Sequence, residues 1–137
     1  MGAVNVEMLL KAVSAEAPSG VDVRYDARFL EVERVSMGKE ERQVGDKKIP
    51  AEPPDWRELR DGCFELLGKT KNLRVGVWLC AAMVRTEGYA GFRDALAVLR
   101  GILEQFWPDV YPQLDPDDGN DPQERINVVA QLSTPIG

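Results

Sequence analysis

Apolar positions recur at helical spacing through most of the second half of the chain. Trp56, Leu59, Cys63 and Leu66 are spaced 3, 4 and 3, which is one face of a helix. Asp55, just ahead of them, is placed to accept from the free amides of the first turn, with Glu58 three residues on. After Asn72, a second capping residue, Leu73, Val77, Cys80, Ala81 and Val84 mark one side of a helix, and Val75, Trp78 and Ala82 mark another. A helix this apolar around its circumference belongs at the centre of a fold, and Gly88 is its expected stop. Phe92, Leu96, Leu99, Leu103 and Phe106 follow at spacings of 4, 3, 4 and 3, widened by Ala95, Val98 and Ile102 and closed by Pro108. The stripe lasts barely two heptads, so it predicts a bundle core rather than a coiled-coil seam. A last helix is predicted over "PQERINVVAQLS". Asp121 is its cap, Pro122 its first residue, Glu124 lies in its first turn, and Ile126, Val129 and Ala130 face inward.

The first half is less regular. A short helix is predicted around residues 5–13, broken by Pro18 and Gly20 in "APSG". Another starts at Asp26 and runs through "ARFLEVERVSM", with Phe29, Val32 and Val35 on one face and Gly38 as the stop. Residues 39–54, "KEERQVGDKKIPAEPP", are charged, lack an apolar period and end in Pro50, Pro53 and Pro54. They read as a long, mobile surface loop. The predicted fold is all-α: a compact bundle of about five to seven helices carrying that charged loop. A chain of 137 residues is long enough to bury one core, so residues 1–137 are expected to form a single domain.

Composition narrows the chemistry. A formal net charge of -6 argues against a nucleic-acid binder, which presents a basic face. The chain contains no histidine, which removes the commonest general base and metal ligand. Cys63 and Cys80 lie inside apolar helical patterns, as small buried core residues do. No apolar run is long enough to span a membrane. The first apolar stretch lacks the basic leading region of a signal peptide, so a cytoplasmic protein is expected.

Two segments imitate ligand cradles. "DGCFELLGKT" ends like a phosphate-binding loop, but five residues separate Gly62 from Gly68 where the motif has four. The predicted preceding element is a helix, whose amides are already bonded, rather than a strand. A nucleotide site at Gly68-Lys69-Thr70 is therefore the alternative reading, and these residues are expected to end the helix. The acidic run from Asp115 to Asp121 resembles the start of a calcium loop. Counted from Asp115, however, the sixth and twelfth positions hold Asn120 and Ile126 instead of Gly and Glu. No cofactor, metal or catalytic residue is expected.

Candidate partner-binding residues lie elsewhere. In "FWPDVYPQL", Trp107, Tyr111 and Leu114 straddle two prolines, and aromatic side chains on a stiffened segment suit a hot spot. Arg24 and Tyr25, beside the cap residue Asp26, form a second candidate. Arg74 and Arg125 stand in apolar or acidic surroundings, and one of the two is expected to bridge carboxylates inside the fold.

"GVDVRYDARF" and the stretch from Asp55 to Leu132 together resemble the ImpA/TssA N-terminal domain family of bacterial type VI secretion systems. Trp56, Thr70, Lys71, Leu73, Arg74, Trp78, Leu79, Gly88, Gly91, Phe92, Trp107, Tyr111, Pro112 and Arg125 carry the resemblance by their order and spacing. Asn72 stands where the family usually has Asp, Val23 where it has Leu and Ala27 where it has Pro. The resemblance implies a non-enzymatic, helical, cytoplasmic assembly component that contacts baseplate, tube or sheath proteins. It also implies that this chain is an N-terminal domain excised from a longer protein, whose missing C-terminal regions build rings.

Overall fold

The computed structural model describes residues 5–133. Its spine is α3 (Trp56–Leu67) packed against α4 (Leu73–Gln105). Asp55 accepts from Glu58 N at the start of α3, and Asn72 accepts from Arg74 N at the start of α4, so both predicted caps are in place. At Gly88, φ 68 and ψ -155 interrupt the helical geometry of α4. The chain folds back there into two antiparallel segments: a Cβ on Gly76 would stand 2.9 Å from Leu99 Cδ1. The first segment is the central helix the sequence predicts, with Leu73, Val75, Val77, Leu79, Cys80, Ala82 and Met83 buried. On the returning segment Ala95, Val98, Leu99, Ile102 and Phe106 are buried, while Phe92, Leu96 and Leu103 are only half-buried. The centre of that face is thus the set that broadened the predicted stripe.

Helix α2 (Ala27–Met37) lies on α3, with Val32 closing on Gly62, while the Phe29 ring meets Trp78 of α4 at 5.3 Å between centroids. Asp26 caps α2 by accepting from Arg28 N and Phe29 N. The bond from Phe29 N, with Lys69 adding, holds the Asp26 carboxyl below its ordinary pKa. The predicted helix over 5–13 shrinks to α1 (Val6–Leu9). Beyond it, Val13 N donates to Pro18 O and Ala17 N to Ser14 Oγ, so local turns take the backbone bonds that a longer helix needs.

The all-α expectation is corrected at residues 42–49. Strands β1 (Arg42–Val44) and β2 (Lys47–Ile49) pair antiparallel, with Val44 opposite Lys47. With five helices and this two-stranded sheet among the described residues, the fold is mixed α/β. The turn is Gly45-Asp46, and Gly45 takes φ 61, as a two-residue hairpin connection demands of its first residue. Residues in the hairpin are exposed on both faces apart from half-buried Ile49, so no in–out alternation advertises a strand. The ladder resumes where Lys39 and Glu52 exchange backbone hydrogen bonds of 2.9 and 2.7 Å.

Helix α5 (Gln123–Ala130) is also rotated from its prediction. Arg125 and Val128 are buried, Ile126 is 52% exposed, and Ala130 is exposed. The inward face is one residue out of phase because a guanidinium, rather than Ile126, fills the interior position. Before α5, Asp115 caps a single 3-10 turn over Pro116–Asp118.

Candidate functional site

Both lookalike cradles are engaged in the fold. Lys69 N and Thr70 N donate to Leu66 O, so the amides of the supposed phosphate loop are bonded within the last turn of α3. Lys69 Nζ lies 3.2 Å from both oxygens of Asp26, and Thr70 Oγ1 donates to Val21 O at 2.9 Å. Asp115 accepts from Asp117 N as the cap of the 3-10 turn, and Asp121 accepts from Gln123 N in a turn just ahead of α5, whose cap position is Pro122 rather than the predicted Asp121. Among the described residues no three His, Cys, Asp or Glu side chains converge as metal ligands. Cys63 and Cys80 are free thiols in the core; burial pushes Cys63 far up and Cys80 to about 12, so neither is a ready nucleophile.

The loop after α4 is built around Arg125. Its Nε donates to Pro112 O at 2.7 Å, Nη1 to Trp107 O at 2.7 Å and Nη2 to Val110 O at 2.9 Å. Of the two arginines weighed as a carboxylate bridge, Arg74 is the one that faces a carboxylate, Glu33, and Arg125 is instead a clamp on three backbone carbonyls. The planar fork suits it: donors pointing in fixed directions meet acceptors on successive turns of one loop. The guanidinium also lies 4.4 Å from the centroid of the Trp107 ring. Burial holds it below the usual arginine range, with Asp109 opposing. Tyr111 and Pro112, joined by a cis peptide bond, continue the loop.

A second buried cation anchors the other side of this loop. Lys71 is 1% exposed, and its Nζ donates to Leu67 O at 2.7 Å and Leu9 O at 2.9 Å while facing the Phe106 ring at 5.7 Å. Burial pushes its ammonium down to about 8. Its backbone carbonyl accepts from Tyr111 N and its amide donates to Ser19 O, so segments near residues 19, 71 and 111 are knitted together. Gly20 is required in this knot, because a Cβ there would lie 2.1 Å from Lys69 O.

Two grooves flank the clamped loop. One, of about 380 Å³, is lined by Leu103, Trp107, Arg125, Ile126, Val129 and Ala130 and is almost wholly apolar. Trp107, 40% exposed, forms one wall on its guanidinium support, and Ile126 forms the other. The opposite groove, of about 370 Å³, gathers Asp22 and Arg24, Phe29 and Glu33 of α2, Asn72 and Arg74 at the start of α4, Tyr111 to Gln113, and Glu124 of α5. Here Arg24 pairs with Asp22 at 3.0 Å, and Arg74 meets Glu33 at 4.0 Å.

The predicted patch is therefore divided. Trp107 belongs to the apolar groove and Tyr111 to the polar one, while half-buried Leu114 lines neither. Arg24 sits on the polar rim, and Tyr25 is 85% exposed beside it, 5.7 Å from the Arg24 guanidinium. Sequence reading missed Ile126 and Val129 as groove residues, since helical periodicity turned them inward. The one available signal was Arg125 itself, a charge on the apolar side of a short helix.

A family model described as "ImpA, N-terminal, type VI secretion system" matches residues 10–134. The type VI secretion system component TssA1 of Pseudomonas aeruginosa is 47% identical over 129 residues, covering 94% of this chain and 38% of that protein. A solved structure, the N-terminal domain including the conserved ImpA_N region of the TssA component from Burkholderia cenocepacia, superposes with a TM-score of 0.74 at 29% identity. That match covers 97% of this chain and 48% of the other, so the chain spans less than half the length of each relative.

Proposed function

The chain belongs to the ImpA N-terminal family of type VI secretion components, and we propose that it is a TssA-type interaction domain that holds baseplate, tube or sheath proteins during assembly in the cytoplasm. The observation carrying this reading is the apolar groove between Trp107 and Ile126. An indole left 40% exposed, supported from behind by a buried guanidinium and facing an isoleucine 52% exposed, is a preformed pocket of the kind that receives a partner's apolar anchor. The role is structural rather than catalytic. The domain works as one part of a longer protein whose other regions assemble rings. Among the described residues no helix is long and apolar enough to cross a membrane.

The test uses purified baseplate, tube and sheath proteins of one type VI system, titrated against the domain by biolayer interferometry. At least one binds, and Trp107→Ala or Ile126→Ser weakens it by about tenfold or more while the circular-dichroism spectrum stays unchanged. Binding of all three left intact by both substitutions would refute the groove as the contact surface.

A further inference from the structure

The N-terminal segment is clipped onto the body at the end of α1. Leu10 lies over Gly101 of α4, and the three nearest atoms that a Cβ on Gly101 would meet all belong to Leu10. One residue earlier, the Leu9 carbonyl accepts from Lys71 Nζ at 2.9 Å. Val6, Leu9 and Leu10 are only half-buried against the core. A helix of four residues has no stability of its own, so these contacts decide whether it docks.

Lys71 carries the docking further. Its ammonium also donates to Leu67 O at the end of α3 and faces the Phe106 ring. Its carbonyl accepts from Tyr111 N, and Phe106 O accepts from Asp109 N and Val110 N. One residue thus joins the last carbonyl of α1 to both ends of the stretch from Phe106 to Tyr111. The ammonium is buried against carbonyls and a ring, a cost that release of α1 relieves by returning it to water.

From these contacts we infer that residues 5–10 are a releasable strap, and that its docking, through Lys71, holds the Trp107–Pro112 loop in the shape that captures a partner. The second half of this rests on the role proposed for the apolar groove. In the docked state Leu10 fills the space over Gly101 and Leu9 O fixes the Lys71 ammonium beneath Phe106. In the released state both contacts go together, Lys71 is hydrated, and Phe106 and Tyr111 lose a fixed neighbour. The buried core contains no residue of the strap, so the body outlasts its release.

Gly101→Ala is the selective probe. Its added methyl presses on Leu10, and alanine suits a helix interior better than glycine. Leu10→Ala removes the same contact from the other side and leaves α4 unaltered. Nuclear magnetic resonance of the full chain is expected to show lowered heteronuclear NOE values for residues 6–10 in both variants. The Val110 and Tyr111 amide signals shift the same way in both, while Leu79 and Val98 keep their wild-type protection from exchange. In a Lys71→Met background the same substitutions no longer move Tyr111. Capture of the type VI protein that the wild type binds falls about fivefold in either variant. The inference is overturned if residues 6–10 stay equally ordered in both variants, if Val110 and Tyr111 do not move, if their shifts persist without Lys71, or if capture is unchanged while they move. Should the wild type bind none of the three proteins, the groove reading fails by itself, and with it the control of capture. The amide signals then still decide whether the strap releases and whether Lys71 couples it to the loop.

Discussion

The two grooves beside the Trp107–Pro112 loop are nearly equal in volume and opposite in chemistry. The apolar one is made by helix faces, the end of α4 and the outer side of α5. The polar one is made where helices begin and loops cross, at the starts of α2, α4 and α5. Helix faces present side chains without competing backbone groups. Helix starts present caps, unpaired amides and the charges that answer them. One loop serves both because its own carbonyls are taken up from behind by Arg125, leaving its side chains free to face either way.

Removing that support breaks both grooves at once and has the largest expected effect. Arg125→Met leaves three carbonyls without a donor and lowers unfolding free energy by about 3–5 kcal/mol in urea melts. Arg125→Lys recovers only part of this, because an ammonium cannot reproduce the planar fork. An unchanged melt for Arg125→Met would show that the loop holds itself.

Lys71 supports the same loop from the polar side, and it titrates. Its folded pKa of about 8 lies below that of an unfolded lysine, so the unfolded chain binds the proton more tightly. Below about pH 8 both states are protonated and the cost of burying the charge is fully present. As pH rises from there toward about 10.5 that cost is relieved, and this residue's contribution to stability increases by up to about 3 kcal/mol. Melts between pH 7.5 and 9.5 show this rise in the wild type relative to Lys71→Met, which lacks the titrating group. Parallel pH profiles for the two would contradict it.

Trp107→Ala sharpens the contrast from the apolar side. The exposed ring contributes little to the core, so stability falls by about 1 kcal/mol, mostly through the lost cation–π contact. Partner binding falls much further. The smallest effect is expected on the polar rim. Arg74→Gln changes stability by less than about 0.5 kcal/mol, since its contact with Glu33 is long and partly exposed. A larger loss would mean that the groove's charges are part of the fold rather than a solvated rim.

Much of the architecture was legible beforehand. Asp26, Asp55 and Asn72 cap the helices they were expected to cap, and Gly38 and Gly88 stop or break theirs. Lys69 and Thr70 terminate α3 with their amides bonded inside it, as the spacing from Gly62 suggested. The hairpin was hidden because strands with both faces exposed carry no alternating pattern, although Gly45-Asp46 was a turn signal in plain view. The face of α5 was misread because periodicity assigns an arginine to solvent by default. Here it is interior, with three carbonyl acceptors and an indole face to receive it.

The sequence by itself determined α2, α3 and α4 with their caps, the family and the absence of histidine chemistry, because caps, breakers and apolar period act over a few neighbouring residues. Only the tertiary structure decided which way Trp107, Tyr111, Ile126 and Arg125 turn. Those orientations depend on acceptors and walls supplied by segments distant in the chain. For Lys71 they are Leu9 O and the Phe106 ring, and for Arg125 they are the carbonyls of Trp107, Val110 and Pro112.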